Sequence, residues 1–142
     1  MRKDWDSYLM DMAKAASTRG TCDRAYVGAV IAIDNRIVAT GYNGSPSGLP
    51  HCSEVGHYMV DDHCCRTIHA EENAILQAAS LGIKVEGATM YVTHEPCMHC
   101  RKRIIQLGFK RVVYFYAYRN VHNAEFVGDV EWVHYDKVQE DI

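Results

Sequence analysis

Two short stretches of the sequence hold side chains that could do chemistry together, His69-Ala70-Glu71 and Pro96-Cys97-Met98-His99-Cys100. Cys97 and Cys100 are three residues apart, so on a helix both sulfurs fall on one face and can reach a single ion. With His69 they make a set of three donors, two thiolates and a neutral imidazole, whose charge balances that of Zn2+. Structural zinc is usually closed by four protein ligands, whereas three leave a corner for water. Both groups are expected at helix N-termini, where the dipole and free N–H groups favour thiolate over thiol. Glu71, two residues after His69, points in a different direction from the ligand and can stand beside the bound water. Zinc lowers the pKa of that water from about 15.7 towards roughly 7, and a nearby carboxylate can take the proton and deliver it elsewhere. Hydrolytic removal of an amino group needs this chemistry. Taken singly, each segment has a plainer reading: a Cys-x-x-Cys serves as a redox pair or half a zinc knuckle, and a lone histidine packs in a core or on a surface.

The chain that positions these groups has 142 residues, 48% of them hydrophobic and 23% charged, which suits one compact domain and excludes disorder as its main theme. No run approaches the roughly 18 apolar residues of a membrane span. The first residues, Met1-Arg2-Lys3-Asp4-Trp5-Asp6, lack the apolar core of a signal peptide, so a cytoplasmic location is expected. A net charge of -3 argues against a dedicated nucleic-acid binder. The local basic cluster, Arg101-Lys102-Arg103 with Lys110-Arg111, reads either as a solvated helix face and turn or as a phosphate contact. Six cysteines would suggest disulfides in a secreted chain, but in a reducing compartment clustered Cys and His point to metal.

Apolar spacing predicts a first helix from about Trp5 to Thr18, with Trp5, Leu9, Met12, Ala13 and Ala16 repeating. Tyr26 to Ile33 reads as a buried strand, Asp34-Asn35 as a turn and Arg36 to Thr40 as the hairpin partner. Gly41 to Gly48 is loop chemistry, and irregular structure is expected to continue to about Thr67. So long a connection in a small domain calls for a function or a staple, and it carries Cys52, His57, His63, Cys64 and Cys65. Ile68 to Ser80 is a second helix with Ile68, Ile75, Leu76 and Ala79 as its core face. Ala88 to Thr93 is a strand, and Pro96 to Leu107 a third helix with Pro96 in its first turn. Arg111 to Ala117 and Val130 to Tyr135 are two more strands, with a helical turn near His122 to Val127. The order implies a layered α/β domain around about five strands.

His-x-Glu followed, 28 residues after the histidine, by Pro-Cys-x-x-Cys is the signature of zinc nucleobase deaminases. Over nearly its whole length the sequence resembles the dCMP (deoxycytidylate) deaminases of bacteria and phages, the branch that includes ComE-type proteins. The resemblance is carried by Thr21-Cys22-Asp23-Arg24, Val27-Gly28-Ala29-Val30, Gly41-Tyr42-Asn43-Gly44, Asp61-Asp62-His63-Cys64, the run Arg66 to Glu71, and Tyr91-Val92-Thr93-His94 before Pro96-Cys97.

The resemblance implies a three-layer α/β/α cytidine deaminase-like fold with a central five-stranded mixed sheet, as one domain over 1–142. It also implies conversion of dCMP to dUMP and ammonia, supplying thymidylate synthesis. His69, Cys97 and Cys100 would hold the catalytic zinc; Glu71 would deprotonate the bound water, protonate N3 of the ring and pass the proton to the leaving ammonia. Backbone around Ala70, Thr93 and Pro96 would line the base. Asn43 is a candidate for the base or sugar or else holds the turn, Tyr118 packs on substrate or is an exposed strand-end residue, and Arg24 contacts phosphate or lies on the surface. A second, structural zinc is expected at Cys22, Cys52, His57 and Cys64, with Cys65 as the alternative to Cys64 and free loop thiols as the plain reading. His51, His63, His94 and His99 are expected to have no ligand role, though His94 is close enough to the pocket to affect substrate fit.

Family members are typically homo-hexamers, activated by dCTP with Mg2+ and inhibited by dTTP. The effector loop is expected at Gly41 to Ser47, chiefly Gly41, Tyr42, Asn43 and Gly44, where glycines admit phosphates. Rival readings are a tRNA adenosine or free cytosine-type deaminase, a non-catalytic zinc scaffold used in assembly or DNA uptake, and a disulfide-rich secreted domain. Glu71 separates enzyme from scaffold, because a scaffold needs no carboxylate beside an open metal corner.

Overall fold

A computed structural model describes residues 1–118 and 120–135, so residues 119 and 136–142 of the expected domain lie outside the described residues. The elements, in chain order, are α1 (Trp5–Ser17), β1 (Gly28–Ile33), β2 (Arg36–Tyr42), α2 (Cys52–Val55), β3 (Met59–Val60), β4 (His63–Cys64), α3 (Ala70–Ser80), β5 (Thr89–His94), α4 (Met98–Gln106), β6 (Arg111–Tyr116), a 3-10 helix (Val121–Glu125) and β7 (Glu131–His134). The main sheet runs β2-β1-β5-β6-β7. β1 is antiparallel to both β2 and β5, while β5, β6 and β7 are mutually parallel, so the sheet is mixed.

Alternation along the strands sorts side chains into two cores. Ala29, Ile31, Met90, Val92 and Val112 face α3 and α4, packing on Ala70, Ala74, Ala78 and Ile104. Val30, Ala32, Tyr91 and Val113 face the other way, onto Leu9, Met10 and Ala13 of α1. The result is three layers, α1 on one face and α3 with α4 on the other, on a sheet of five strands. The β1–β2 turn is made by Asp34 and Asn35, both at positive φ (49° and 64°), which gives the twist a two-residue hairpin needs.

Two helix faces differ from the expected ones. On α1 the buried residues are Leu9, Met10 and Ala13, while Trp5 and Met12 lie 55% and 38% exposed. On α3 the buried residues are Ala70, Glu71, Ala74 and Ala78, and Leu76 is exposed. The cause sits on β2: a Cβ at Gly41 would lie 2.3 Å from the Ala70 carbonyl oxygen and 2.5 Å from the Ala74 nitrogen. Strand and helix backbones nearly touch, so only small side chains fit between them. Gly28 does the same for α1, its Cβ position falling 2.0 Å from the Ala13 carbonyl.

The connection from Ser45 to Thr67 is less irregular than expected, holding α2 and the short antiparallel hairpin β3–β4. Pro96 precedes the N-cap of α4 instead of occupying its first turn, because Cys97 is the cap. The basic cluster is split: Lys102, Arg103 and Lys110 are exposed, as a solvated helix face and turn requires, while Arg101 and Arg111 are held by partners. Arg101 is buried against the Trp132 ring and paired with Glu95 at 2.9 Å, and Arg111 donates to both oxygens of Asp6 at 2.9 and 2.8 Å.

Candidate zinc centres

His69 caps α3 and Cys97 caps α4, and both helices lie on the same face of the sheet. Their N-termini therefore point at one spot. His69 Nδ1 is 3.7 Å from Cys97 Sγ and 3.5 Å from Cys100 Sγ, and the three donor atoms all lie within 4.8 Å of one another. Zinc with nitrogen at about 2.0–2.1 Å and sulfur at about 2.3 Å in a tetrahedron sets its donors about 3.5–3.8 Å apart. The donor set fits that ion.

The three donors share their protons unequally. Cys97 is pulled down to about 3 by a hydrogen bond from the Cys100 thiol, outweighing its burial, with further help from His69. Cys100 is pushed up by Cys97 and by burial, and His69 is raised to about 9 by its bond to Cys97. Glu71, on the first turn of α3, is buried, which lifts its carboxyl above the usual carboxylate range against the pull of His69.

The Gly41–Gly44 segment serves largely as the frame for this helix start. Gly41 and Tyr42 belong to β2 and are not loop residues. Tyr42 O accepts from Asn73 Nδ2 at 2.7 Å, and Gly44 exchanges backbone hydrogen bonds with Ile68, the residue before His69. Asn43 is buried and committed: Oδ1 accepts from Val27 N, and Nδ2 donates to Cys22 O and Ala25 O at 3.2 and 2.7 Å. Of the two roles open to it in the sequence, holding the chain is the one its amide performs here.

The other expected pocket residues differ in exposure. Ala70, Thr93 and Pro96 are buried, and Thr93 Oγ1 accepts from Gly28 N at 3.1 Å. His94 Nδ1 meets Thr93 Oγ1 at 2.8 Å and its ring packs against Tyr116, while burial lowers its pKa. Tyr118 is 52% exposed, with its N–H donated to Glu95. Arg24 is exposed, its Nη2 donating to Asp62 O at 3.0 Å.

Cys22, Cys52, His57 and Cys64 form a second cluster, all four donor atoms within 4.8 Å. Cys22 Sγ lies 3.5 Å from His57 Nδ1, and Cys52 Sγ lies 3.5 Å from Cys64 Sγ, spacings that also suit zinc. Cys65 points away, exposed, with its sulfur 3.8 Å from His63 O. Cys64 is held down at about 6: burial opposes this, but backbone hydrogen bonds from Arg66 and Tyr58 and the Cys52 thiol prevail. Cys52 is correspondingly pushed up to about 12 by burial and by Cys64.

Sequence reasoning missed two sets of supporting groups. Glu95 takes Arg101 Nη2 and Asn123 Nδ2 on one oxygen and the Tyr118 N–H on the other, tying the α4 start to the chain after β6. Its signal was an acidic residue at a strand-to-helix junction. Asp23 stands beside the His57 ring, signalled only by its adjacency to Cys22.

The family profile described as "Cytidine and deoxycytidylate deaminase zinc-binding region" matches residues 3–116. The chain is 45% identical over 140 residues to ComE operon protein 2 of Bacillus subtilis, covering 99% of this chain and 74% of that protein. It is 41% identical over 124 residues to the deoxycytidylate deaminase of Mycobacterium phage D29, covering 80% and 95% respectively. The crystal structure of dCMP deaminase from cyanophage S-TIM5 in complex with dCMP and dUMP superposes with a TM-score of 0.81 at 30% identity, covering 93% of this chain and 97% of that one. With the donor triad, the α/β/α layering and these likenesses together, the chain belongs to the cytidine and deoxycytidylate deaminase family.

Proposed function

We propose that the protein hydrolyses dCMP to dUMP and ammonia, with His69, Cys97 and Cys100 as ligands of a catalytic zinc and Glu71 as the proton carrier. One observation carries this: three donors at two helix starts converge while a buried carboxyl sits two residues from one of them. The solved relative in complex with dCMP and dUMP supports this choice of substrate.

Zinc held by the three donors would supply a Lewis acid that brings a water's pKa within reach of a carboxylate. Glu71 takes one proton from water and places it on N3 of the cytosine ring as the oxygen adds to C4, then takes the second proton from that oxygen and gives it to the departing nitrogen as the C4–N bond breaks. Burial suits it to this double role, since it raises the carboxyl's affinity for a proton above the usual carboxylate range. The backbone of Ala70, Thr93 and Pro96 lines the base, excluding water. Tyr118 and Arg24 face the sugar and phosphate, and Asn43 serves them by fixing the 22–27 chain that carries Arg24.

A second zinc at Cys22, Cys52, His57 and Cys64 is part of the same reading, supported by the convergence of four donors. So are a cytoplasmic homo-hexamer, activation by dCTP with Mg2+ and inhibition by dTTP near Gly41–Gly44, supported by the resemblance. Side-by-side ammonia release from dCMP, dCTP, deoxycytidine and cytosine, with and without dCTP plus Mg2+, tests the assignment. Strong preference for dCMP is expected; comparable rates on all four overturn it.

A further inference from the structure

Of the four donors in the second cluster, three are thiols and one is an imidazole. A thiolate binds a metal from whichever side it meets it. An imidazole must present one bare nitrogen and keep its single proton on the other, so something has to choose the tautomer and aim the ring.

His57 lies between the helix-ending Gly56 and β3, and among the described residues its own backbone makes no hydrogen bond. The ring is instead held from both sides by side chains. Nδ1 faces the cluster, 3.5 Å from Cys22 Sγ, and Nε2 lies 2.9 Å from Asp23 Oδ1. A carboxylate can only accept, so it holds the proton on Nε2 and leaves Nδ1 bare towards the sulfurs.

Asp23 is itself fixed by its neighbours. Cys22 is in the cluster, and Arg24 reaches the carbonyl of Asp62 in the β3–β4 turn at 3.0 Å. The segment Cys22-Asp23-Arg24 thus meets the lobe at three consecutive points. As an ion pair the Asp23–His57 contact would be worth little, because the two side chains are 73% and 31% exposed. Its value lies in orienting a neutral ring.

We propose that Asp23 is a positioning residue of the second metal site, holding His57 as the Nε2–H tautomer with Nδ1 directed at the ion. This rests on reading Cys22, Cys52, His57 and Cys64 as a zinc site. Outer carboxylates of this kind typically change metal affinity about 10–100-fold when removed.

The test uses the full zinc-loaded chain and transfer of zinc to the chromogenic chelator 4-(2-pyridylazo)resorcinol, with metal content measured beforehand. Two equivalents per chain, released in two phases, are expected; a single equivalent overturns the site reading and the proposal with it. With two equivalents present, Asp23→Ala should weaken retention of one by about 10–100-fold and leave the other unchanged. Asp23→Asn, which keeps an acceptor and the side-chain volume, should do less, and it serves as the variant if Asp23→Ala does not fold. In a His57→Cys background, Asp23→Ala should have no further effect, since a thiolate has no tautomer to set. Retention within twofold of wild type in Asp23→Ala, or an equal loss in both backgrounds, overturns the proposal while leaving the metal site standing. Long-range 1H–15N spectra give a second readout: His57 should carry its proton on Nε2, and a proton on Nδ1 sinks the assignment.

Discussion

The two Cys/His clusters use the same donor atoms at the same spacings but are built on different foundations. The first stands on the caps of α3 and α4, helices of 11 and 9 residues packed on the sheet, and brings three donors together beside a buried carboxyl. The second gathers four donors from the chain before β1, the four-residue α2, the stretch after it and the two-residue β4, with no acid among them. Three donors on a rigid frame leave room for chemistry at the ion. Four donors on short elements would, on the proposed reading, let an ion serve as the core that these elements lack.

The largest effect expected from this contrast is at Glu71. Glu71→Gln should lower ammonia release from dCMP by about 10²–10⁴-fold, yet keep its full metal content by elemental analysis. Full turnover by that variant would erase the distinction between an open and a closed site.

Cys52→Ser probes the other side. It should cost about 3 kcal/mol or more in thermal or denaturant unfolding and open the 45–67 segment to limited proteolysis, with the His69–Cys97–Cys100 equivalent of metal retained. Proteolysis unchanged from wild type would show that this lobe does not depend on its donors.

Gly41→Ala sharpens the claim that the first cluster depends on the frame. With a Cβ forced to 2.3 Å from the Ala70 carbonyl, α3 must shift, at a cost of about 1–3 kcal/mol. Since His69 and Glu71 ride on that helix start, kcat should fall by more than the lost stability accounts for. Unaltered kinetics at full occupancy of the fold would argue that the frame has slack.

The smallest effect lies away from both clusters, on the α1 face. Arg111 donates to both oxygens of Asp6, and the Tyr91 hydroxyl donates to one of them at 2.7 Å. The Arg111 bond leads in holding Asp6 below the ordinary value of 3.8, against its partial burial. The stabilisation is therefore complete above 3.8 and fades only as pH falls through the lowered value. Asp6→Asn should lose about 1 kcal/mol at pH 7, keep that deficit down to about pH 5, and converge on wild type in stronger acid. Thermal unfolding across that range, with both metal equivalents intact, checks it.

Much of the fold was legible because strands and helices here have clear periods and clear ends. The phase of the helices was not. On α3 Ile75 packs against the core partly buried, as its type suggests, but Leu76 is exposed and the fully buried places go to Ala70, Ala74 and Ala78, because close backbone approach at Gly41 favours small residues over large apolar ones. That approach is a property of two segments at once. Asn43 is similar: its residue type suits a ligand or a turn equally, and only the positions of Val27, Cys22 and Ala25 show where its amide is spent.

By itself the sequence determined the donors and their local geometry: Cys97 and Cys100 on one side of a helix start, and Glu71 two places from His69. Those relations hold within a single turn, where backbone geometry leaves little freedom. The tertiary structure decided that α3 and α4 share a face of the sheet, that an imidazole 28 residues away comes within 3.7 Å of both sulfurs, and that Glu71 is buried. Distance between segments and exclusion of water arise from packing the whole sheet, so no local pattern encodes them.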